Sequence, residues 1–156
     1  MAMSRVAVCF ALLISGVASG WAGESARVQH LTNVDSQGVA IKGYDAVAYF
    51  TEGKAIQGAK DITYQWNGAL WRFATQAHRE LFVSQPEKYA PQFGGYCAYG
   101  AATGKIFDVD PEAWEIKGGK LYLVHNQNIK QQWIQDYSVF VEEANRKWPG
   151  ILNANE

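Results

Sequence analysis

Sulfur is scarce in this sequence of 156 residues, which contains two cysteines and two methionines. Cys9, Met1 and Met3 lie in the first 22 residues, which we expect to be cleaved as a leader. Cys97 would then be the lone thiol of the processed chain, and no intramolecular disulfide could form. Without methionine, a thioether-rich copper site is excluded as well.

Excess charge and the common catalytic motifs are also missing. The chain has 14 Lys and Arg against 15 Asp and Glu, a formal net charge of −1, so it offers no basic field for nucleic acid. It contains no phosphate-binding glycine loop, no nucleophile elbow and no HExxH zinc helix. These absences favour a binding or structural role over an enzymatic one. Aromatic residues, at 13% with six tryptophans, are plentiful, and most of them must lie in the core.

The first 22 residues have the three parts of a secretory signal peptide. Arg5 supplies a positive charge, residues 6–17 are apolar, and small residues follow at 18–20. The apolar run is shorter than the roughly 20 residues that a membrane-spanning helix needs. We therefore expect cleavage and a soluble periplasmic or secreted protein with no stable membrane span.

The next part of the chain predicts an arm followed by strands. Residues 23–40 are polar and irregular, which is typical of a flexible N-terminal arm. Ala46–Phe50 is a short apolar run that indicates a buried strand. Ile62–Trp66 and Leu70–Ala74 flank Asn67-Gly68, a pair that favours a two-residue hairpin turn.

A helix is predicted over Gln76–Ser84, with Thr75 as its N-cap. The apolar residues that we expect to face the core are Ala77, Leu81 and Phe82. His78 lies off this stripe, which is typical of a solvated side chain.

A second hairpin is predicted where residues 113–116 and 121–124 flank Lys117–Lys120, because the two central glycines permit positive φ. After it, Asn126 can cap a long helical segment. The core-facing stripe of that segment is Ile129, Trp133, Tyr137, Phe140, Val141, Ala144 and Trp148.

Two arrangements of the C-terminal segment stay open. It could be one helix, or two helices with a bend, because Asp136 or Ser138 could restart it. Pro149-Gly150 would end it, leaving a tail at 151–156. The order of elements predicts one α+β domain over residues 41–150, with a small antiparallel sheet of hairpins.

Cys97 lies in Gln92–Gly100, where three glycines and three aromatic residues surround the thiol. Glycine permits positive φ and close approach of the backbone, so the rings could wall off a pocket. Residues 96–102 could form a short helical turn that brings Cys97 to free backbone amides. The predicted pocket residues are Phe93, Tyr96 and Tyr99.

Four roles for Cys97 remain open. With His78 and His125 as companion ligands, its thiolate could bind copper or zinc. As a nucleophile it could carry out thiol-redox chemistry on an oxidised substrate or a partner disulfide. It could instead pack inertly in the core, or join two copies of the chain in a homodimer.

Several motifs, in order, resemble the YHS domain of exported bacterial proteins. They are KGYDAVAYF at Lys42–Phe50, YQWNG at Tyr64–Gly68, the segment from Phe82 to Tyr89, and FGGYCAYG at Phe93–Gly100. The resemblance runs from about Ile41 to Pro149. YHS domains occur beside copper-transporting ATPase modules and in some monooxygenases, often with a cysteine pair suspected of binding metal. The resemblance therefore implies a binding module for a soft metal ion, with Cys97 as the one cysteine that corresponds.

Overall fold

A computed structural model describes residues 31–155. The predicted leader, Cys9 and His30 lie outside this range. The fold consists of two separate antiparallel hairpins with helices around them, so the predicted α+β class is confirmed. The elements are α1 Ala48–Thr51, β1 Ala59–Trp66, β2 Ala69–Phe73, α2 Gln76–Ser84, α3 Pro86–Tyr89, α4 Ala98–Thr103, β3 Asp110–Lys117, β4 Lys120–Val124, α5 Gln127–Gln135 and α6 Tyr137–Ala154, with 3-10 turns at Ile41–Gly43 and Phe93–Gly95. No helix within 31–155 is both long and apolar enough to cross a membrane.

Both hairpin predictions are confirmed, and their turns explain why. Asn67 and Gly68 have φ of 55° and 75°, and Gly118 and Gly119 have φ of 57° and 73°. Two consecutive residues with positive φ form the turn whose twist matches that of the flanking strands. β1 pairs with β2 and β3 pairs with β4.

The predicted strand at Ala46–Phe50 is wrong, because helix α1 occupies most of this segment. Asp45 causes the difference. Its Oδ1 accepts hydrogen bonds from the backbone N–H groups of Val47 and Ala48, at 2.9 and 3.3 Å, and so caps the start of a helical turn. The predicted burial is confirmed, since residues 46–49 are all buried. A short apolar run does not distinguish a strand from a buried helix.

Helix α2 has the predicted bounds, but it turns a different face inward. The Thr75 hydroxyl accepts a hydrogen bond from the His78 N–H at 3.1 Å, as expected of an N-cap. The buried residues are His78 and Phe82, whereas Ala77 and Leu81 are exposed. The predicted solvation of His78 is therefore wrong, because its ring is hydrogen-bonded to the buried carboxylate of Asp45.

The C-terminal segment forms two helices with a bend at Asp136, which is one of the two arrangements predicted from the sequence. Asn126 caps α5 by accepting a hydrogen bond from the Ile129 N–H at 2.9 Å. The predicted end at Pro149-Gly150 is wrong, since α6 continues through Pro149 to Ala154. Proline removes only one backbone donor, and continuing the helix buries Ile151 in the core.

Part of the predicted N-terminal arm packs into the domain. Asn33 is buried, and its N–H donates to the carbonyl of Gly94 at 2.8 Å. Ala40 is also buried, and its N–H donates to the carbonyl of Leu70 at 2.9 Å. The ordered contacts of the domain therefore begin before Ile41, where the sequence placed its boundary.

Gly94 is where the N-terminal segment and the cysteine loop come closest. It has φ of 61°, and a Cβ added there would lie 1.8 Å from the carbonyl oxygen of Leu31. Gly53 has a similar φ of 63° but open space around it. We expect Gly53→Ala to lower the free energy of unfolding by about 1–2 kcal/mol through backbone strain. Gly94→Ala should cost about 1–3 kcal/mol more, because the clash with backbone adds to the strain.

Chemical denaturation of both variants measures the difference. Equal losses of stability would show that Leu31 moves aside freely and that its contact with the loop is not a constraint.

Candidate functional site

The loop that carries Cys97 is shaped by two glycines and a short helix. Gly94 and Gly95 both have positive φ, at 61° and 79°, and turn the chain through Phe93–Gly95. Helix α4 begins directly after Cys97, whose Sγ accepts a hydrogen bond from the Gly100 N–H at 3.4 Å. The predicted helical turn beside the thiol is therefore present, and the sulfur caps it.

Cys97 is buried, with 1% of its surface exposed. Burial raises the pKa of the Cys97 thiol, because removing water penalises the thiolate. The backbone N–H groups of Gly100, His125 and Tyr99 act in the opposite direction and lower the pKa, but burial has the larger effect. Cys97 is thus a protonated thiol at neutral pH, in a setting that supplies backbone donors to the thiolate if it forms.

A cavity of about 280 Å³ adjoins this thiol. It is lined by Cys97, Tyr99, Phe107, His125 and Ile129. The structure therefore brings together three of the residues singled out from sequence, Cys97, His125 and Tyr99. Phe107 and Ile129 were missed, because they come from a loop and a helix that carry no local sign of a shared cavity.

The other two aromatic residues of the loop lie outside that lining. Phe93 is buried, and its ring packs against Trp148 and Tyr122 at centroid distances of 5.6 and 6.2 Å. Tyr96 also packs against Trp148, at 6.4 Å. Both rings contribute to the packing beneath the loop.

His125 is held by the loop that precedes β3. Its Nδ1 lies 2.9 Å from the backbone carbonyl of Asp108. A carbonyl oxygen can only accept, so Nδ1 carries the proton, and the neutral ring keeps its lone pair on Nε2. The ring lies 6.3 Å from that of Phe107. His125 therefore has the tautomer in which Nε2 can act as a base or a metal ligand.

His78 is in a different place, between α2 and α1. It is 8% exposed, and its Nδ1 lies 2.6 Å from Oδ2 of Asp45, which is fully buried. It does not line the Cys97 cavity. Sequence reasoning missed Asp45. The available signal was a carboxylate directly before an apolar run, since a carboxylate that is buried there needs hydrogen-bonding partners.

The donors available for a metal ion are few. Within residues 31–155, no three side chains of His, Cys, Asp or Glu are grouped so as to hold one. The four protein ligands of a structural zinc site are therefore not found in this part of the chain. Cys97 and His125 line the same cavity, and this pair of donors fits a cation that is stable with two protein ligands.

Asp45 supports the local fold, and we expect Asp45→Ala to lower the free energy of unfolding by about 3–5 kcal/mol. The substitution leaves the N–H groups of Val47, Ala48 and Ala74 and the ring of His78 without their acceptor. Chemical denaturation measures the loss, and Asp61→Ala, at an exposed carboxylate on β1, is the control. Equal stability of the two variants would show that the buried carboxylate is dispensable.

Cys97 should react slowly with iodoacetamide at pH 7, because only the thiolate reacts and its formation is disfavoured. We expect the native protein to react more slowly than the unfolded chain, because burial raises the pKa of Cys97 and lowers the fraction of thiolate. The rate should still be rising with pH above the ordinary thiol pKa. Intact mass follows the reaction, and fast labelling of native protein at pH 7 would contradict the raised pKa.

No family model, no curated protein and no solved structure matches this chain. The assignment of function therefore depends on the geometry around Cys97 and on the motifs of the sequence.

Proposed function

We propose that this protein is an exported binding module of the YHS type, not an enzyme, that holds one cuprous ion between Cys97 and His125. The observation that carries the proposal is the cavity that both side chains line. The motifs of the sequence support the family, and the predicted signal peptide supports export to the periplasm or outside the cell.

The donor set fits copper(I) better than zinc. A soft thiolate favours Cu(I), and an imidazole nitrogen suits copper as well. Cu(I) is stable with two ligands, whereas zinc takes four. Cys97 Sγ and the unprotonated Nε2 of His125 would hold the ion, which would act there as a soft Lewis acid.

The surroundings of the sulfur also favour a bound cation. The backbone N–H groups of Gly100, His125 and Tyr99 favour the thiolate. Burial favours the thiol, so at neutral pH a bound cation must displace the proton. Tyr99, Phe107 and Ile129 line the rest of the cavity.

Two of the other roles considered for Cys97 require different properties of its thiol. Thiol-redox chemistry is disfavoured, because it needs a lowered pKa and Cys97 has a raised one. An inert core cysteine is the second candidate, since the 1% exposure of Cys97 is what that role requires. The cavity beside the sulfur supports metal binding over inert packing.

Copper(I) affinity, measured by competition with bicinchoninate under anaerobic conditions, tests the proposal. We expect one ion per chain, a loss of at least about 100-fold in Cys97→Ala and about 10-fold or more in His125→Ala. His78→Gln is the matched control and should bind copper normally, because His78 does not line the Cys97 cavity. Because binding releases the thiol proton, the affinity below the Cys97 pKa should fall about tenfold for each unit decrease in pH.

Unchanged affinity in Cys97→Ala would contradict the proposal and leave Cys97 as a core residue. A Cys97→Ser variant that folds but binds no copper would support the proposal. Its loss of stability should be no larger than expected from replacing a buried sulfur by a hydroxyl.

A further inference from the structure

A groove of about 680 Å³ lies between helix α6 and the loop that follows α4. Its lining includes Lys105 and Phe107 from the loop, and Arg146, Lys147, Gly150 and Ile151 from α6. The α6 residues recur at helical spacing and form one stripe along the helix. The groove is broadly open to solvent, whereas a small-molecule site encloses most of its ligand. Its shape therefore suits a segment of a protein partner.

The groove carries an excess of positive charge. Lys105, Arg146 and Lys147 line it, and no Asp or Glu within residues 31–155 does so. Arg146 and Lys147 share one carboxylate oxygen of Glu143, and Glu142 acts on Arg146 from a greater distance. Lys105 is exposed and forms no ion pair with a described residue. Three cations thus face two carboxylates, and an acidic segment would complement them.

Phe107 gives the groove an exposed aromatic ring, with 44% of its surface accessible. The ring rests on Gly100, where an added Cβ would lie 2.7 Å from it. The backbone beneath is held by Cys97, whose N–H donates to the Phe107 carbonyl at 3.0 Å. Aromatic and arginine side chains are enriched at protein interfaces and dominate their binding energy. Phe107 beside Arg146 is therefore the pair that we expect an apolar and acidic partner to contact.

Gly150 leaves the floor of the groove open. It lies within α6, and no atom of another part of the described chain comes within 4 Å of an added Cβ. Neither a positive φ nor a close contact inside residues 31–155 requires glycine there. Glycine is an unfavourable residue in a helix, so its presence weakens α6 without improving the internal packing. The missing side chain lets the backbone of a partner come close to the helix.

We propose that this groove is a docking surface for an acidic segment of another protein. Carboxylates of the segment pair with Lys105, Arg146 and Lys147, and an apolar side chain packs on Phe107. Because Phe107 also lines the Cys97 cavity, the docked partner lies beside the thiol. Docking uses neither of the proposed copper donors and does not depend on a bound ion.

Selection of short random peptides displayed on phage, against the metal-free protein at low salt, tests the proposal. We expect the enriched peptides to contain more Asp and Glu than the starting library, together with an aromatic or large aliphatic residue. Fluorescein-labelled synthetic copies then give affinities by anisotropy. The affinity should fall as salt is added, because salt screens exposed charges.

Two variants show whether the peptides bind in this groove. Gly150→Trp fills the groove and should weaken binding at least about tenfold by steric exclusion. Lys105→Glu should weaken it by a similar factor, because it repels carboxylates. Gly150→Ala is the control for size, and Lys60→Glu, at an exposed lysine on β1 outside the groove, is the control for charge. Both controls should bind like the wild-type protein.

Three outcomes would overturn the proposal: no enriched peptide, enriched peptides without an excess of acidic residues, or wild-type affinity in both Gly150→Trp and Lys105→Glu. Thermal unfolding shows that the variants fold. Every result is independent of the copper experiment, since the protein carries no metal and keeps Cys97 and His125 throughout.

Discussion

The buried carboxylate of Asp45 is the interaction on which the local fold depends. It accepts four hydrogen bonds, from the backbone of Val47, Ala48 and Ala74 and from the ring of His78. These partners belong to the start of α1, the end of β2 and the first turn of α2, so one side chain joins three elements. A buried charge persists only when its hydrogen bonds are complete. The positions of these elements are therefore fixed relative to one another, and His78 with them.

The second constraint lies at Phe107 and Asp108, which hold both proposed copper donors. The carbonyl of Phe107 accepts the N–H of Cys97 at 3.0 Å, and the carbonyl of Asp108 accepts Nδ1 of His125 at 2.9 Å. Asp108 is anchored by Lys42 at 2.8 Å and by Asn33 at 3.1 Å. Burial alone would raise the pKa of Asp108, but the hydrogen bonds from Lys42 and Asn33 outweigh it and lower the pKa. Two adjacent peptide groups thus position the thiol and the imidazole together.

Features set by neighbours in sequence could be predicted, and features set by distant contacts could not. Asn67-Gly68 specifies its turn locally, and Thr75 specifies the start of α2, so both were predictable. The inward face of α2, by contrast, depends on Asp45, which lies far from His78 in sequence and meets it only in the fold. The continuation of α6 past Pro149 depends in the same way on burying Ile151. For the candidate site, composition identified Cys97 and its loop, while the pairing with His125 and the exclusion of His78 required the three-dimensional structure.

The surroundings of Cys97 and of His78 differ in the donor atoms that they contain. Backbone N–H groups face the Cys97 sulfur, and the cavity beside it is lined by sulfur, an imidazole and mainly apolar groups, which suits a soft cation. His78 lies among oxygen atoms, with the Asp45 carboxylate at Nδ1 and the Thr51 hydroxyl and Glu52 carboxylate at Nε2. Soft and borderline cations sort by donor type. Because the buried Asp45 holds His78 away from Cys97, His125 is the only histidine on the Cys97 cavity within residues 31–155, and the proposed copper site has one thiolate and one imidazole.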